Sequence, residues 1–149
     1  MSQGLPVSYD SSLNLPAIPT EATQGILGGA IVKNLGARKE WTKIHALSRS
    51  KKDEYPASVE HNHVDLTGSV DDLAKALKDV EGDYLFFAAY LQDESEQKMC
   101  EINGGMLRNF LQALQKTGAA DRLKRVILVT GAKQYMLQMG VTKLPMEES

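Results

Sequence analysis

Helical and strand patterns alternate along most of this chain, and that alternation restricts the fold more than any other feature of the sequence. The predicted elements are, in order, a helix over 25–36, strands over 43–47 and 59–66, a helix over 70–80, a strand over 84–89, a helix over 99–114 and a strand over 126–129. Strands that alternate with helices form a parallel sheet with helices on both faces. The sequence therefore predicts an α/β fold, a Rossmann-like doubly wound parallel sheet.

Local signals support several of these elements. Ser69 with Asp72 three residues later resembles a capping box, and Gly118 is a typical stop for the long helix. The run 84–89 is continuously apolar and aromatic, which is typical of a central strand covered on both faces. The strand over 126–129 is predicted to be buried as well.

The first strand is the weak point of this prediction. A sheet with strand order 3-2-1-4-5 needs a central strand before the helix over 25–36, and residues 13–20 occupy that position. Pro16 and Pro19 would remove ladder donors there, and proline argues against a central strand. We therefore expect residues 1–20 to be an irregular N-terminal segment with a degenerate first strand, and 21–149 to form a partial NADP-binding Rossmann-like domain.

Size and composition exclude several classes of protein. A chain of 149 residues with 42% hydrophobic residues can bury one core, and its formal net charge of −2 gives no drive toward nucleic acid. The longest apolar run, 84–91, is too short to cross a membrane as a helix. A single cysteine, Cys100, permits no internal disulfide and is expected to be a small packing residue. We expect a cytoplasmic protein without nucleic-acid or membrane partners.

The start of the first helix resembles a phosphate-binding turn. Gly25 and Gly28 keep the spacing of the second and third glycines of a dinucleotide-binding loop, with Ile26 between them. Ala22 or Glu21 stands where the first glycine is expected, and a carboxylate there would repel a diphosphate. Glycines at this spacing also occur where a helix merely packs closely on a sheet, so both interpretations stay open.

Two strand ends carry candidate adenosine contacts. About twenty residues after Gly28, Arg49 and Ser50 follow the strand over 43–47, where an acid suits NAD and an arginine suits the 2′-phosphate of NADP. A solvated basic loop is the alternative. Asp65 and Leu66 follow the next strand and could contact adenine, although an Asp in this position is also ordinary turn chemistry.

Histidines offer a weaker signal. His61, His63 and Asp65 alternate, so a strand would place them on one face, as a metal site requires. No fourth ligand accompanies them, so we predict no metal site. These histidines, and His45, are expected to lie on the surface or on an edge strand.

Two stretches resemble one enzyme family. The stretch Glu-Ile-Asn-Gly-Gly-Met-Leu-Arg-Asn over 101–109 and the turn Thr-Gly-Ala-Lys-Gln-Tyr over 130–135 are similar to those of the progesterone 5β-reductase and iridoid synthase group of short-chain dehydrogenases/reductases. The resemblance covers the chain from about Gly25 onward and is nearest to fungal homologues of secondary metabolism. It implies NADP(H)-dependent reduction of a small substrate, in the best-known members an enone.

The resemblance also assigns residues. It implies cofactor contacts at Gly25, Gly28, Arg49, Asp65, Leu66 and, after the fourth strand, Ala88. Lys133 matches the catalytic lysine. The family's tyrosine lies further downstream, so the sequence predicts that the C-terminal substrate region is absent from these 149 residues.

Two hypotheses about function follow. The chain is an NADP(H)-dependent reductase of a small molecule, or it is a truncated, catalytically inactive relative or a non-catalytic interaction module. Apolar surface around Phe86 and Ile127 is expected to favour association, with a homo-oligomer as one form.

Overall fold

The computed structural model describes residues 16–19, 26–50 and 55–130. The elements in these ranges are β1 (Pro16–Pro19), α1 (Ile26–Gly36), β2 (Lys43–Ser48), β3 (Val59–His63), α2 (Val70–Ala76), β4 (Tyr84–Phe87), α3 (Glu96–Thr117), a 3₁₀ turn (Ala119–Arg122) and β5 (Arg125–Leu128). Within the described ranges the strands form one parallel sheet in the order β3-β2-β1-β4-β5. This topology confirms the predicted Rossmann-like, doubly wound fold.

The expectation that residues 1–20 are irregular throughout is wrong for Pro16–Pro19, which form the central strand. Ala17 lies opposite Ile44 of β2 and Tyr84 of β4. The two prolines occupy the ends of the strand, where Pro16 is in register with β2 and Pro19 with β4. The missing N–H groups therefore fall where pairing begins and stops, and the two inner residues keep their donors.

One face of the sheet packs on α2 and α3. Leu85 and Phe87 of β4 are buried there, and the Phe87 ring lies 5.8 Å from that of Phe110. Apolar residues at helical spacing contribute to the same core, among them Leu73, Leu77, Met106, Ala113 and Leu114. The helical stripes predicted from the sequence are therefore the buried faces.

The opposite face packs on α1 through a smaller cluster. Leu35 and Ile44 are buried there, and Trp41 meets Tyr84 and Phe86 edge-on with centroid separations of 5.4 and 6.1 Å. Phe86 is thus half-buried against Trp41 rather than an open apolar surface. Alternate residues of β4 face opposite sides, as the period of a strand requires.

The helix start predicted at Ser69 and the helix stop predicted at Gly118 are confirmed, whereas the helix predicted over 70–80 ends earlier, at Ala76. The hydroxyl of Ser69 accepts a hydrogen bond from the Asp72 N–H and caps α2. Gly118 ends α3 with φ of +80°, a left-handed conformation that glycine adopts without a steric penalty.

Three burial predictions are wrong. All residues of β5 are exposed, and none of them belongs to either core cluster of the described residues. His45 is 1% exposed, and its Nδ1 donates to Asn62 Oδ1 across β2 and β3, so pairing allows burial of a polar ring. Cys100 is exposed, because it lies on the outer face of α3.

Candidate functional site

The carboxyl ends of the parallel strands place most of the predicted site residues at one edge of the sheet. Arg49 and Ser50 directly follow β2, Asp65 follows β3 closely, and Ala88 directly follows β4. The helix that follows β1 also begins at this edge. Central β1 is the point at which the chain turns from one half of the sheet to the other, and such switch points form ligand crevices in α/β proteins.

The first turn of α1 faces this crevice. Gly28 is buried within the turn, and the helix begins at Ile26, so unpaired N–H groups and the positive end of the helix dipole lie at the carboxyl edge of the sheet. Gly25 and Lys133 lie outside the described residues, and their assigned roles stay predictions.

The end of β2 is fixed by a short hydrogen-bond network. The buried Ser48 hydroxyl donates to the Ser50 carbonyl at 2.8 Å and lies 2.9 Å from Nε2 of His61. A hydroxyl has one hydrogen, so Nε2 of His61 must be the donor in the second bond. Tyr55 stacks on the His61 ring with centroids 6.0 Å apart. The loop that carries exposed Arg49 therefore starts from a rigid point.

Asp65 forms the turn after β3. Its Oδ1 accepts from the Thr67 hydroxyl at 2.7 Å and from the Thr67 N–H at 3.0 Å. The bond from the Thr67 hydroxyl is the main reason why the pKa of Asp65 lies below its usual value. The bond from the Thr67 N–H and the charges of Arg49 and His63 act in the same direction. Arg49 and Asp65 thus act on one another across adjacent strand ends.

Leu66, unlike its neighbour Asp65, belongs to the hydrophobic core. Its side chain is fully buried in the core that α2 and α3 cover. Only the backbone of Leu66 can therefore reach a ligand at this edge. The predicted adenine contact by Asp65 and Leu66 stays a prediction.

The loop after β4 is held by α3. Asn103 accepts from the Leu91 N–H and donates to the Leu91 carbonyl, both at 2.8 Å. The hydroxyl of Tyr90 lies 2.9 Å from the Met99 sulfur. Ala88 sits at the start of this loop, half-buried.

The loop after β3 is held by the same helix. The side-chain amide of Asn109 donates to the Gly68 carbonyl at 3.3 Å. Sequence reasoning assigned no role to Ser48, His61, Asn103 or Asn109. For the two asparagines a signal existed, because both belong to the stretch over 101–109 that resembles the reductase family.

In residues 16–19, 26–50 and 55–130, no three side chains of His, Cys, Asp or Glu are placed so that they could hold a metal ion together. No helix in these ranges combines the length and the hydropathy that crossing a membrane requires.

Several known proteins are similar to this chain. An uncharacterized protein of Schizosaccharomyces pombe is 47% identical over 137 residues, which are 89% of this chain and 33% of that protein. A 3-oxo-Delta(4,5)-steroid 5-beta-reductase of Arabidopsis thaliana is 30% identical over 96 residues, which are 63% of this chain and 24% of that enzyme. The (S)-8-oxocitronellyl enol synthase of Nepeta cataria is 30% identical over 98 residues, with the same two shares.

Over 63% of its length the chain is similar, at 29–30% identity, to members of the progesterone 5β-reductase and iridoid synthase group of short-chain dehydrogenases/reductases. The resemblance inferred from the sequence is therefore confirmed, including the similarity to a fungal protein. The chain spans a third or less of the length of these relatives. No family model matches it.

Solved structures of short-chain dehydrogenase type share the fold. The ADP-L-glycero-D-manno-heptose-6-epimerase of Helicobacter pylori has a TM-score of 0.66 at 19% identity, over 93% of this chain and 44% of that one. A short chain dehydrogenase of Burkholderia cenocepacia, solved with NADP, has a TM-score of 0.59 at 21% identity, over 80% and 54%. A mutant of uronate dehydrogenase from Agrobacterium tumefaciens, solved with NAD, has a TM-score of 0.59 at 14% identity, over 78% and 41%. Two of these three neighbours were therefore solved with a nicotinamide nucleotide, one with NADP and the other with NAD.

Proposed function

We propose that this chain forms the NADP(H)-binding half of a short-chain reductase that acts on a small molecule, with an enone as the leading substrate class. The observation that carries the proposal is that Arg49 and Asp65 follow the neighbouring strands β2 and β3 at the carboxyl edge of the sheet, beside the switch point at β1. A cation and a hydrogen-bonded carboxylate at this edge suit the phosphorylated ribose and the adenine of one nucleotide.

The residues after β2 favour NADP over NAD. No carboxylate occurs at positions 48–50, where an acid would bind the free 2′-hydroxyl of NAD. The Ser48 hydroxyl bonds the Ser50 carbonyl and His61, which fixes the base of the loop that carries exposed Arg49. An exposed guanidinium on a fixed loop can form a two-pronged contact with a phosphate group.

The crevice also fits the diphosphate of the nucleotide. Gly28 is buried in the first turn of α1, and the N-terminus of this helix presents N–H groups and a partial positive charge. The nucleotide supplies the hydride in this chemistry. Lys133 would stabilise negative charge that develops on a substrate oxygen, as the family resemblance implies.

Titration of the full 149-residue chain with NADPH and with NADH tests this proposal. Arg49→Ala should weaken NADPH binding by about tenfold to a hundredfold and leave NADH binding unchanged, because one charge-assisted contact to phosphate is lost. Arg38→Ala is the matched control, since Arg38 is also exposed but follows α1 at the opposite edge of the sheet and pairs with Glu40. Equal and immeasurably weak affinity for both nucleotides would overturn the proposal.

A second candidate function is a catalytically inactive interaction module. The observation that favours it is β5, where Val126 and Leu128 are 49% and Ile127 is 36% exposed. An apolar strand with an open edge can pair with another chain, a second copy included. Enone reduction by the purified chain that disappears in Lys133→Ala would exclude this candidate. Sedimentation of the wild-type chain as a monomer at all accessible concentrations would remove self-association from it.

A further inference from the structure

Asn103 forms hydrogen bonds with both backbone groups of one residue in the loop after β4, as a residue of a paired strand would. Its Oδ1 accepts from the Leu91 N–H, and its Nδ2 donates both to the Leu91 carbonyl and, at 2.8 Å, to the Met99 carbonyl one helical turn back. Both backbone groups of Leu91 are therefore satisfied by a single side chain. All the hydrogen-bonding hydrogens of that amide are used.

Asn109 makes a simpler contact on the other loop. Its amide donates to the carbonyl of Gly68, the residue whose N–H donates to the Asp65 carbonyl at 3.1 Å. The bond thus reaches the turn that Asp65 and Thr67 form. Asn103 and Asn109 are about 9 Å apart along the axis of α3, since an α-helix rises about 1.5 Å per residue.

We propose that Asn103 and Asn109 are positioning residues, through which α3 fixes the two loops that line the nucleotide site. The inference rests on the proposed function, because it assigns these loops to the nucleotide. Asn109 holds the turn at the adenine end, and Asn103 holds the loop that passes the remainder of the cofactor after Ala88. Both loops lie beyond the last ladder bonds of their strands, so side-chain bonds from α3 replace the missing sheet contacts.

Three alanine substitutions test this arrangement. Asn103→Ala and Asn109→Ala each remove one brace. Asn34→Ala is the matched control, because the exposed amide of Asn34 bonds only the Ala30 carbonyl within α1 and reaches no loop. All three changes give a helix the same gain in propensity. If Asn103→Ala does not fold, Asn103→Asp keeps the side-chain shape and the acceptor for the Leu91 N–H but removes both donors.

The probes are NADPH and adenosine 2′,5′-bisphosphate, which lacks the nicotinamide half. Asn109→Ala should weaken both probes by about fivefold, whereas Asn103→Ala should weaken NADPH by about fivefold to tenfold and change the bisphosphate less than about twofold. Asn34→Ala should change neither. A general loosening of the fold would weaken both probes together in both variants, so that pattern would overturn the inference.

Amide hydrogen exchange at Leu91 supplies a readout that needs no nucleotide. Exchange should accelerate by about fivefold or more in Asn103→Ala and stay unchanged in Asn34→Ala. Faster exchange in Asn103→Ala combined with unchanged NADPH affinity would overturn the positioning role of Asn103 but leave the proposed function standing. Failure of the wild-type chain to bind either probe would overturn the proposed function, and with it the role of both asparagines in nucleotide binding.

Discussion

Replacing Gly104 by alanine is expected to stabilise the protein, whereas the same replacement at Gly118 is expected to destabilise it. Gly104 lies inside α3, and a Cβ atom built there meets no other atom within 4 Å apart from the helix's own nearby backbone. Alanine is favoured over glycine in a helix interior by about 0.5–1 kcal/mol. The space around Gly118 is equally open, but its φ of +80° costs an L-residue about 1–2 kcal/mol.

The pair forms an internal control because each variant adds one methyl group in open space to the same region. Urea unfolding should show the two midpoints moving in opposite directions with an unchanged m-value. Thermal midpoints should shift by about 2–4 °C for each kcal/mol in a chain of this size. Destabilisation by both substitutions would refute the reasoning, since it would mean that the outer face of α3 at Gly104 contacts another part of the protein.

Other perturbations test the core, a cap and the Asp65 turn. Phe110→Ala should lower the free energy of unfolding by about 3–5 kcal/mol, because the ring is fully buried against Phe87; a loss below about 1 kcal/mol in urea unfolding would contradict this packing. Ser69→Ala should cost about 1 kcal/mol by the same assay through loss of the α2 cap, and an unchanged midpoint would argue against the cap. Thr67→Val should raise the pKa of Asp65 toward its usual 3.8, as NMR titration can measure. A lowered pKa contributes stability above 3.8 that is lost as the pH falls through the folded-state value, so Thr67→Val should destabilise the protein at neutral pH and much less in acid.

The sequence predicted the order of the elements from α1 onward because each of those elements carries its own periodic or capping signal. The stripe of α3, its stop at Gly118 and the cap at Ser69 are local properties, and all three are confirmed. The strand order followed from the alternation of helix and strand patterns together with the topology of doubly wound sheets.

The predictions that failed depended on distant neighbours. The prolines lie at the two ends of β1, where Pro16 is in register only with β2 and Pro19 only with β4, so the strand tolerates them. The positions of these two neighbouring strands cannot be inferred from residues 16–19 alone. Burial of His45 depends on Asn62 of the next strand. β5 has the apolar composition of a core strand, but whether such a strand is buried depends on the elements that pack on it, and all its residues are exposed.

The sequence predicted which residues lie at the candidate site, but it did not predict the hydrogen bonds that hold the surrounding loops. The strand ends located Arg49 and Asp65 correctly at a common edge. The bonds of Asn103 and Asn109 to that edge require the packing of α3 against the sheet, which the sequence pattern leaves open.

The central position of β1 has a consequence for the order in which the chain can acquire its structure during synthesis. β1 is made before the other described strands, yet its pairing on one side needs β4, which is made much later. Until then β1 can pair only with β2, and its other edge stays open. Pairing of β1 with β4 is therefore a late and slow event, because these two strands are farther apart in the sequence than any other paired strands of the described sheet.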